Sequence, residues 1–389
     1  MVSFENTEIA FDIKSKPELR KAWWLFRILQ IAPLYNVLNG FMSLCIALKI
    51  PIGWFVKHTV FKQFCGGISF EESVPVVVKL SRYNVKSILD YSVEGNHSEK
   101  EICETMSELV RGIEVPACCA NIAFAVFKPS ALCPEPVLNH LVSHNILDGD
   151  LLHGANVFRE RMEELCWKAY EKKVSIMVDA EDFAFQNLID DTVTEMMEKF
   201  NRERIIVYNT VQMYRTDRLN YLSKSLERAQ HKGYKLGFKI VRGAYMEKER
   251  ARSLQMDYPS PIWNDKESTD KAYNEALNFC LGNIDKISVL AGTHNEESCQ
   301  YLAGLMNKNG IEKNDPRVYF SQLFGMSDNI SFNLAKEGYN VAKYIPYGPV
   351  NKVLPYLIRR AQENSSIADQ TGRELRLIST DLQRRKKLK

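Results

Sequence analysis

With 389 residues, 45% hydrophobic and 25% charged, the chain has the composition of a globular protein with enough apolar material for a large core, which excludes a minimal scaffold and global disorder. Its 51 Lys and Arg against 48 Asp and Glu leave a net charge of +3, too small to call for a polyanion, so nucleic acid is not an expected partner. Nine cysteines are scattered without a CxxC spacing, which fits a reducing compartment better than a disulfide framework.

Residues 1–85 read as an N-terminal helical region. Glu5, Glu8 and Asp12 precede any apolar run, unlike a secretory signal or a transit peptide, so the chain reads as mature and cytoplasmic. The apolar stretch Phe41–Val56 contains Lys49 and Pro51 and is shorter than the roughly 20 residues a spanning helix needs. Trp23, Trp24, Phe26, Trp54 and Phe55 alternate with Lys21, Arg27, Lys49 and Lys57. That mixture suits first of all helices packed on the main domain, and after that peripheral contact with the inner face of the cell membrane.

From residue 86 to about 365 the pattern alternates short β-rich runs with amphipathic stretches. Eight runs are predicted as strands: Ser87–Val93, Ala120–Lys128, Val174–Asp179, Arg204–Asn209, Lys235–Val241, Ile287–Ala291, Arg317–Ser321 and Asn340–Tyr344. Helical periodicity lies between them, as in Arg218–Lys232, Lys266–Leu281 and Asn295–Lys308. Eight strand-helix units predict an α/β protein of the (β/α)8 barrel class, and the absence of GxGxxG and GxxxxGK[ST] weakens the dinucleotide-fold and P-loop alternatives. Barrel sites form at the C-terminal strand ends. There the sequence offers Glu94, Lys128, Asp179, Gln212, Arg242, His294, Gln322 and Tyr344. The remaining segment, 366–389, reads as a basic helical tail ending in Arg384, Arg385, Lys386, Lys387 and Lys389. His140 and His144 have an i, i+4 spacing but no HExxH glutamate, so no metal site is expected.

The sharpest motif is Tyr356–Asn364. Tyr356, Arg359, Arg360 and Glu363 fall at i, i+3, i+4 and i+7 and share one helix face. Paired guanidiniums make a fork for a small carboxylate, with Glu363 able to hold one of them, although a surface ion-pair ladder has the same spacing. Lys128 reads as a Schiff-base lysine of aldolase type, a carboxylate partner, or a solvated strand end. Asp179 ends an apolar strand as a site carboxylate or a helix N-cap. Lys239 and Arg242 flank a turn at Gly243 that permits close approach of a phosphate-bearing cofactor. Thr293, His294 and Asn295 add hydroxyl, imidazole and amide.

Taken in order, Leu89–Glu94, Phe127–Lys128, Val178–Glu181, Val211–Tyr214, Lys239–Tyr245, Thr293–Asn295, Gln322–Met326, Tyr344 and Tyr356–Asn364 resemble the flavin-dependent proline dehydrogenase family. The resemblance spans about 85–365 and implies a distorted (β/α)8 barrel holding FAD. It implies oxidation of L-proline to Δ1-pyrroline-5-carboxylate by hydride transfer to the flavin N5, with electrons passed to a membrane quinone. By the same resemblance, Arg359, Arg360 and Lys128 hold the substrate carboxylate, while Tyr344, Tyr356, Leu323 and Tyr245 pack its ring. Asp179 would then partner Tyr344, and Glu94 would close the site as the ion-pair partner of Arg359. Gln212, Lys239, Arg242, Gly243, Thr293, His294 and Asn295 would contact FAD. Lys239 stands where bifunctional bacterial members carry Arg and agrees with the eukaryotic type. The chain ends soon after the barrel, which implies a monofunctional enzyme whose product passes to a separate pyrroline-5-carboxylate dehydrogenase.

Overall fold

The computed structural model describes residues 2–29, 57–93, 98–134, 149–354, 356–357 and 368–388. Helices α1 (Thr7–Phe11), α2 (Lys16–Leu29) and α3 (Phe70–Ser81) precede the sheet. The eight expected strands all form: β1 (Val85–Tyr91), β2 (Ile122–Phe127), β3 (Ile176–Val178), β4 (Val207–Gln212), β5 (Leu236–Val241), β6 (Ile287–Gly292), β7 (Val318–Leu323) and β8 (Val341–Tyr347). They follow one another as a closed barrel in sequence order, and the pairings from β2 through β7 are parallel. Between the strands run α4 (Glu99–Cys118), α5 (Gly149–Lys172), α6 (Phe183–Phe200), α7 (Arg218–Lys232), α8 (Met246–Gln255), α9 (Lys266–Gly282), α10 (Glu296–Lys308) and α11 (Asp328–Lys336), and α12 (Ala368–Lys387) closes the chain. Local chemistry supports these boundaries. Ser98 and Glu101 form a reciprocal capping box on α4, and Gly233, at φ 73°, ends α7 in the left-handed conformation.

Four strands end two or three residues from where their apolar runs predict: β1, β4, β8 and β7, which runs on to Leu323 rather than stopping at Ser321. β1 stops at Tyr91 rather than Val93, so Asp90 rather than Glu94 is its last carboxylate. β4 starts three residues later than expected because Asn201 organises the preceding turn: its Oδ1 accepts from the Ile206 and Val207 amides at 2.9 and 2.8 Å, and its Nδ2 donates to the Val207 carbonyl at 2.8 Å. At its other end β4 runs to Gln212, three residues past the predicted Asn209. β8 runs on to Tyr347 with all seven residues buried. A strand covered on both faces has no polar alternation to mark its end.

The chain divides into two compact units, one built on Ile88–Tyr91 with Gly95–Ser321, the other on Val2–Ser87 and Ser92–Glu94 with Gln322–Lys389. In the second, Phe11, Leu19, Phe26, Phe64, Val353, Leu357, Leu377 and Ile378 form one buried cluster. The N-terminal and C-terminal helices thus share a core. Trp23 packs on that core and donates from its indole to Ser379 Oγ at 2.9 Å, so of the first aromatic trio only Trp24 is exposed, at 62%. Trp54 and Phe55 lie outside the described residues. Part of the basic tail is also engaged internally: Arg384 and Arg385 both pair with buried Asp381, and Arg385 donates to the carbonyls of Phe11 and Lys14. No helix among the described residues is long and apolar enough to cross a membrane.

Candidate active site

In the first unit the strand ends carry cations, and each is paired with a carboxylate. Lys128, directly after β2, donates to both oxygens of Asp90 on β1 at 2.8 and 2.6 Å. Its side chain is 11% exposed and that of Asp90 1%, so the reading as a solvated strand end fails. The carboxylate favours the charged ammonium form of Lys128, whereas a Schiff-base nucleophile must be a neutral amine.

Lys239 on β5 donates to Asp179, just after β3, at 2.5 Å. Because β4 lies between those strands, a pair reaching from β5 to the end of β3 projects into the barrel interior. Asp179 is not the cap of α6. That place belongs to Asp182, whose carboxylate accepts from the Ala184 amide at 3.0 Å.

Arg242, after β5, is fixed on every side: Nε donates to Asp270 at 2.6 Å, Nη1 to Thr293 Oγ1 at 2.6 Å and Nη2 to Ser298 Oγ at 3.0 Å, and the guanidinium lies 4.4 Å over the Tyr273 ring. Burial alone would raise the Asp270 carboxyl, but its hydrogen bonds to Lys266 and Arg242 outweigh that and hold it below its usual range. Gln212 donates to the Glu181 carbonyl at 2.7 Å. Thr293 accepts from the Asn295 amide at 3.0 Å, and the Asn295 side chain caps α10 by accepting from Ser298 N at 2.8 Å. His294 is half-buried between them.

Gly243 has φ 136°, and a Cβ there would stand 2.3 Å from the Tyr214 ring. The close approach that demands a glycine is thus made by the chain's own phenol. Tyr214 in turn donates to Glu249 at 2.7 Å. Burial pushes both groups up, and the neighbouring carboxylate adds to the rise at Tyr214. Tyr245 is the N-terminal cap position of α8 and is half-buried.

In the second unit Leu323 ends β7, and Tyr344 stands mid-strand in β8 at 7% exposure. The Tyr344 carbonyl accepts from the Phe324 amide at 2.8 Å, fixing the turn after β7 to β8. Tyr356 is 5% exposed within the buried cluster. Glu94, Arg359, Arg360, Glu363, His140 and His144 lie outside the described residues. The residues that sequence reasoning missed are the acids and hydroxyls behind the cations: Asp90, Asp270 and Ser298. A signal existed for Asp90, a carboxylate inside the apolar run Ile88–Tyr91, which is the same mark that singled out Asp179.

A family model described as Proline dehydrogenase matches residues 74–373. The chain is 31% identical over 426 residues to "Proline dehydrogenase 1, mitochondrial" of Dictyostelium discoideum, covering 98% of this chain and 74% of the relative. It is 30% identical over 414 residues to "Hydroxyproline dehydrogenase" of Xenopus laevis, covering 96% of this chain and 88% of the relative. Among solved structures, proline utilization A from Bdellovibrio bacteriovorus inactivated by N-propargylglycine aligns with a TM-score of 0.71 at 20% identity, over 94% of this chain and 37% of that chain. That likeness agrees with the barrel and shows the fold; this chain spans little more than a third of the solved one.

Proposed function

Because the chain belongs to the proline dehydrogenase family, we propose that it oxidises L-proline to Δ1-pyrroline-5-carboxylate with FAD as its cofactor and delivers the electrons to a membrane quinone. The observation that carries this reading is the arc of donors on three successive strands, Gln212 on β4, Lys239 and Arg242 at β5, and Thr293 after β6. Amide, ammonium, guanidinium and hydroxyl groups suit a ligand rich in carbonyl and phosphate oxygens. Thr210, on the same face of β4 as Gln212, also buries a hydroxyl with no hydrogen-bond partner. The donor set therefore fits FAD, which Gln212, Lys239, Arg242, Thr293, His294 and Asn295 would hold. When bound, FAD supplies the acceptor for the hydride leaving the ring carbon next to nitrogen.

The chain's own contribution is orientation and charge. Lys128, anchored on Asp90, and the arginine pair Arg359 and Arg360 take the substrate carboxylate. Tyr344, Tyr356, Leu323 and Tyr245 pack the ring and exclude water, so that the reacting carbon is presented in one geometry. Asp179 steadies Lys239 and, through the pairing implied for it, Tyr344. Glu94 closes the site over Arg359, with Glu363 supporting the arginines.

An absorbance spectrum with a turnover assay tests this. Flavin bands near roughly 380 and 450 nm, with L-proline-dependent reduction of an artificial acceptor, are the expected result. A colourless protein that borohydride traps covalently on Lys128 in the presence of substrate would replace this reading with a lyase.

A further inference from the structure

The second unit joins three buried ionisable side chains, Lys343, Asp328 and Glu374, with half-buried Lys14 in one network that the reaction described above does not use. Lys343, in β8, is completely buried. Its ammonium lies 2.9 Å from Asp328 Oδ1, and the other oxygen of Asp328 is 2.7 Å from Lys14 Nζ. Glu374 of α12 joins from the far side by accepting from the Ser327 amide. Three segments far apart in sequence thus meet on the Asp328 carboxylate, namely the α1–α2 turn, the start of α11 and β8, and the C-terminal helix joins them through the Ser327 amide.

Lys343 also does something a mere counter-ion would not. Its ammonium donates to the Met326 carbonyl at 2.5 Å and reaches the Leu323 carbonyl at 3.4 Å. It therefore spans the turn Leu323–Met326 from end to end. That turn is demanding: Gly325 has φ 80°, and a Cβ there would meet the Gln63 carbonyl oxygen at 2.0 Å. Gln63 Nε2 donates to the Gly325 carbonyl at 2.7 Å, and the Phe324 amide donates to Tyr344 O at 2.8 Å. Neighbours on a strand leave it on opposite faces, so Lys343 and Tyr344 act on opposite sides of β8. One braces the turn from behind while the other carries a ring-packing phenol.

We propose that Lys343, fixed by Asp328, is a positioning residue of the reaction: it clamps the Leu323–Met326 turn and so sets where Leu323 and Tyr344 meet the substrate ring. This rests on the roles given to those two residues above. Charge bookkeeping makes the clamp depend on Asp328: burial pulls the Lys343 ammonium below its usual range, and Asp328 opposes that fall. Burial would raise Asp328, but Lys14 and Lys343 overcome it and hold the carboxyl at about 2. Asp328 thus remains an anion that balances the buried ammonium; removing it strands the Lys343 charge in the core, whereas removing Lys343 leaves Asp328 paired with Lys14 alone.

The experiment compares wild type, Lys343→Met and Asp328→Asn as holoenzymes. Amide hydrogen exchange reads the clamp without substrate. In both variants the Phe324, Met326 and Ser327 amides are expected to exchange about tenfold or more faster, while β4 and β5 amides keep their wild-type protection. The ratio of kcat/KM for L-proline to that for trans-4-hydroxy-L-proline reads the site, and it should narrow by about tenfold. A fall in the folded fraction would scale both substrates together and leave the ratio alone.

Lys343→Arg, which restores the cation, should recover most of the turn protection. Asp328→Asn carries the same test should Lys343→Met not accumulate as folded protein. Unchanged turn exchange in a folded variant overturns the proposal, as does faster exchange of the turn with an unchanged substrate ratio. Failure of wild type to turn over proline would instead count against the functional reading, since the exchange measurement still reports on the clamp.

Discussion

Replacing Asp90 with Asn tests whether the carboxylate behind Lys128 is part of the site. The side chains are nearly isosteric, but the amide offers one acceptor oxygen where the carboxylate offered two. Lys128 then loses one of its contacts at 2.6 and 2.8 Å and the carboxylate charge that faces it. With Asp90 at 1% and Lys128 at 11% exposure, solvent compensates little, and breaking such a pair costs about 3–5 kcal/mol; the small exposure of Lys128 favours the low end. Urea unfolding should show about 3 kcal/mol less stability.

The catalytic effect is separable. The value of the Lys128 ammonium to a substrate carboxylate depends on its being held still. In Asp90→Asn the KM for L-proline should rise, lowering kcat/KM by about 10- to 100-fold, or roughly 1.4–2.7 kcal/mol, with flavin content unchanged. Steady-state assays with an artificial acceptor would measure it. A KM that falls would refute the reasoning, because it would mean that Asp90 competes with the substrate for Lys128 rather than aiming it.

Four further outcomes are expected. Arg359→Met or Arg360→Met should lose about 2–5 kcal/mol of transition-state binding while retaining FAD, and near wild-type kcat/KM would assign the pair to a surface ladder. Tyr344→Ser, at a position only 7% exposed, should shift preference from L-proline toward trans-4-hydroxy-L-proline by roughly 1–3 kcal/mol, and an unchanged ratio would remove Tyr344 from the specificity argument. Glu374 is pushed up to about 7 by burial, with Asp328 adding to the rise and Lys14 and Lys343 opposing it. The folded state therefore holds its proton between pH 4.5 and 7 when the unfolded chain does not. Stability should fall across that window by about 3 kcal/mol, and Glu374→Gln should flatten the slope; an identical slope in the variant would assign it to other groups. Finally, exposed Trp24, Lys386 and Lys387 should give weak, salt-sensitive binding to anionic liposomes, and protein left in the supernatant at low salt would count against membrane contact.

The barrel was legible because its signal is a count. Eight apolar runs separated by helical periodicity survive errors of two or three residues at each end, so the misplaced boundaries of β1, β4, β7 and β8 did not disturb the topology. The same errors mattered for the site. Extending β1 to Val93 placed Glu94 at its end and hid Asp90, and nothing in the apolar pattern reveals that Asn201 holds residues 201–206 as a turn. The sharing of one core by Leu19, Phe26, Leu377 and Ile378 was likewise beyond periodicity, which shows that a helix has an apolar face but not what covers it.

Within the site, sequence reasoning found the cations and Asp179 but missed Asp90 and Asp270 and did not match any acid to its cation, and the reason is physical. A Lys or Arg at a strand end is conspicuous because it interrupts an apolar run at a fixed position in the barrel. The acids that make those cations tolerable come from 38 residues away for Lys128, 60 for Lys239 and 28 for Arg242, distances over which only the closed fold decides who meets whom. Yet a cation with little access to water is costly unless it is paired and hydrogen-bonded. Each buried strand-end cation in a sequence therefore implies a carboxylate somewhere in the chain. Asp90 and Asp179, both carried by otherwise apolar strand segments, were the two carboxylates placed to answer. A search for charges that break apolar strands, made without regard to sign, would have brought Asp90 forward together with Lys128.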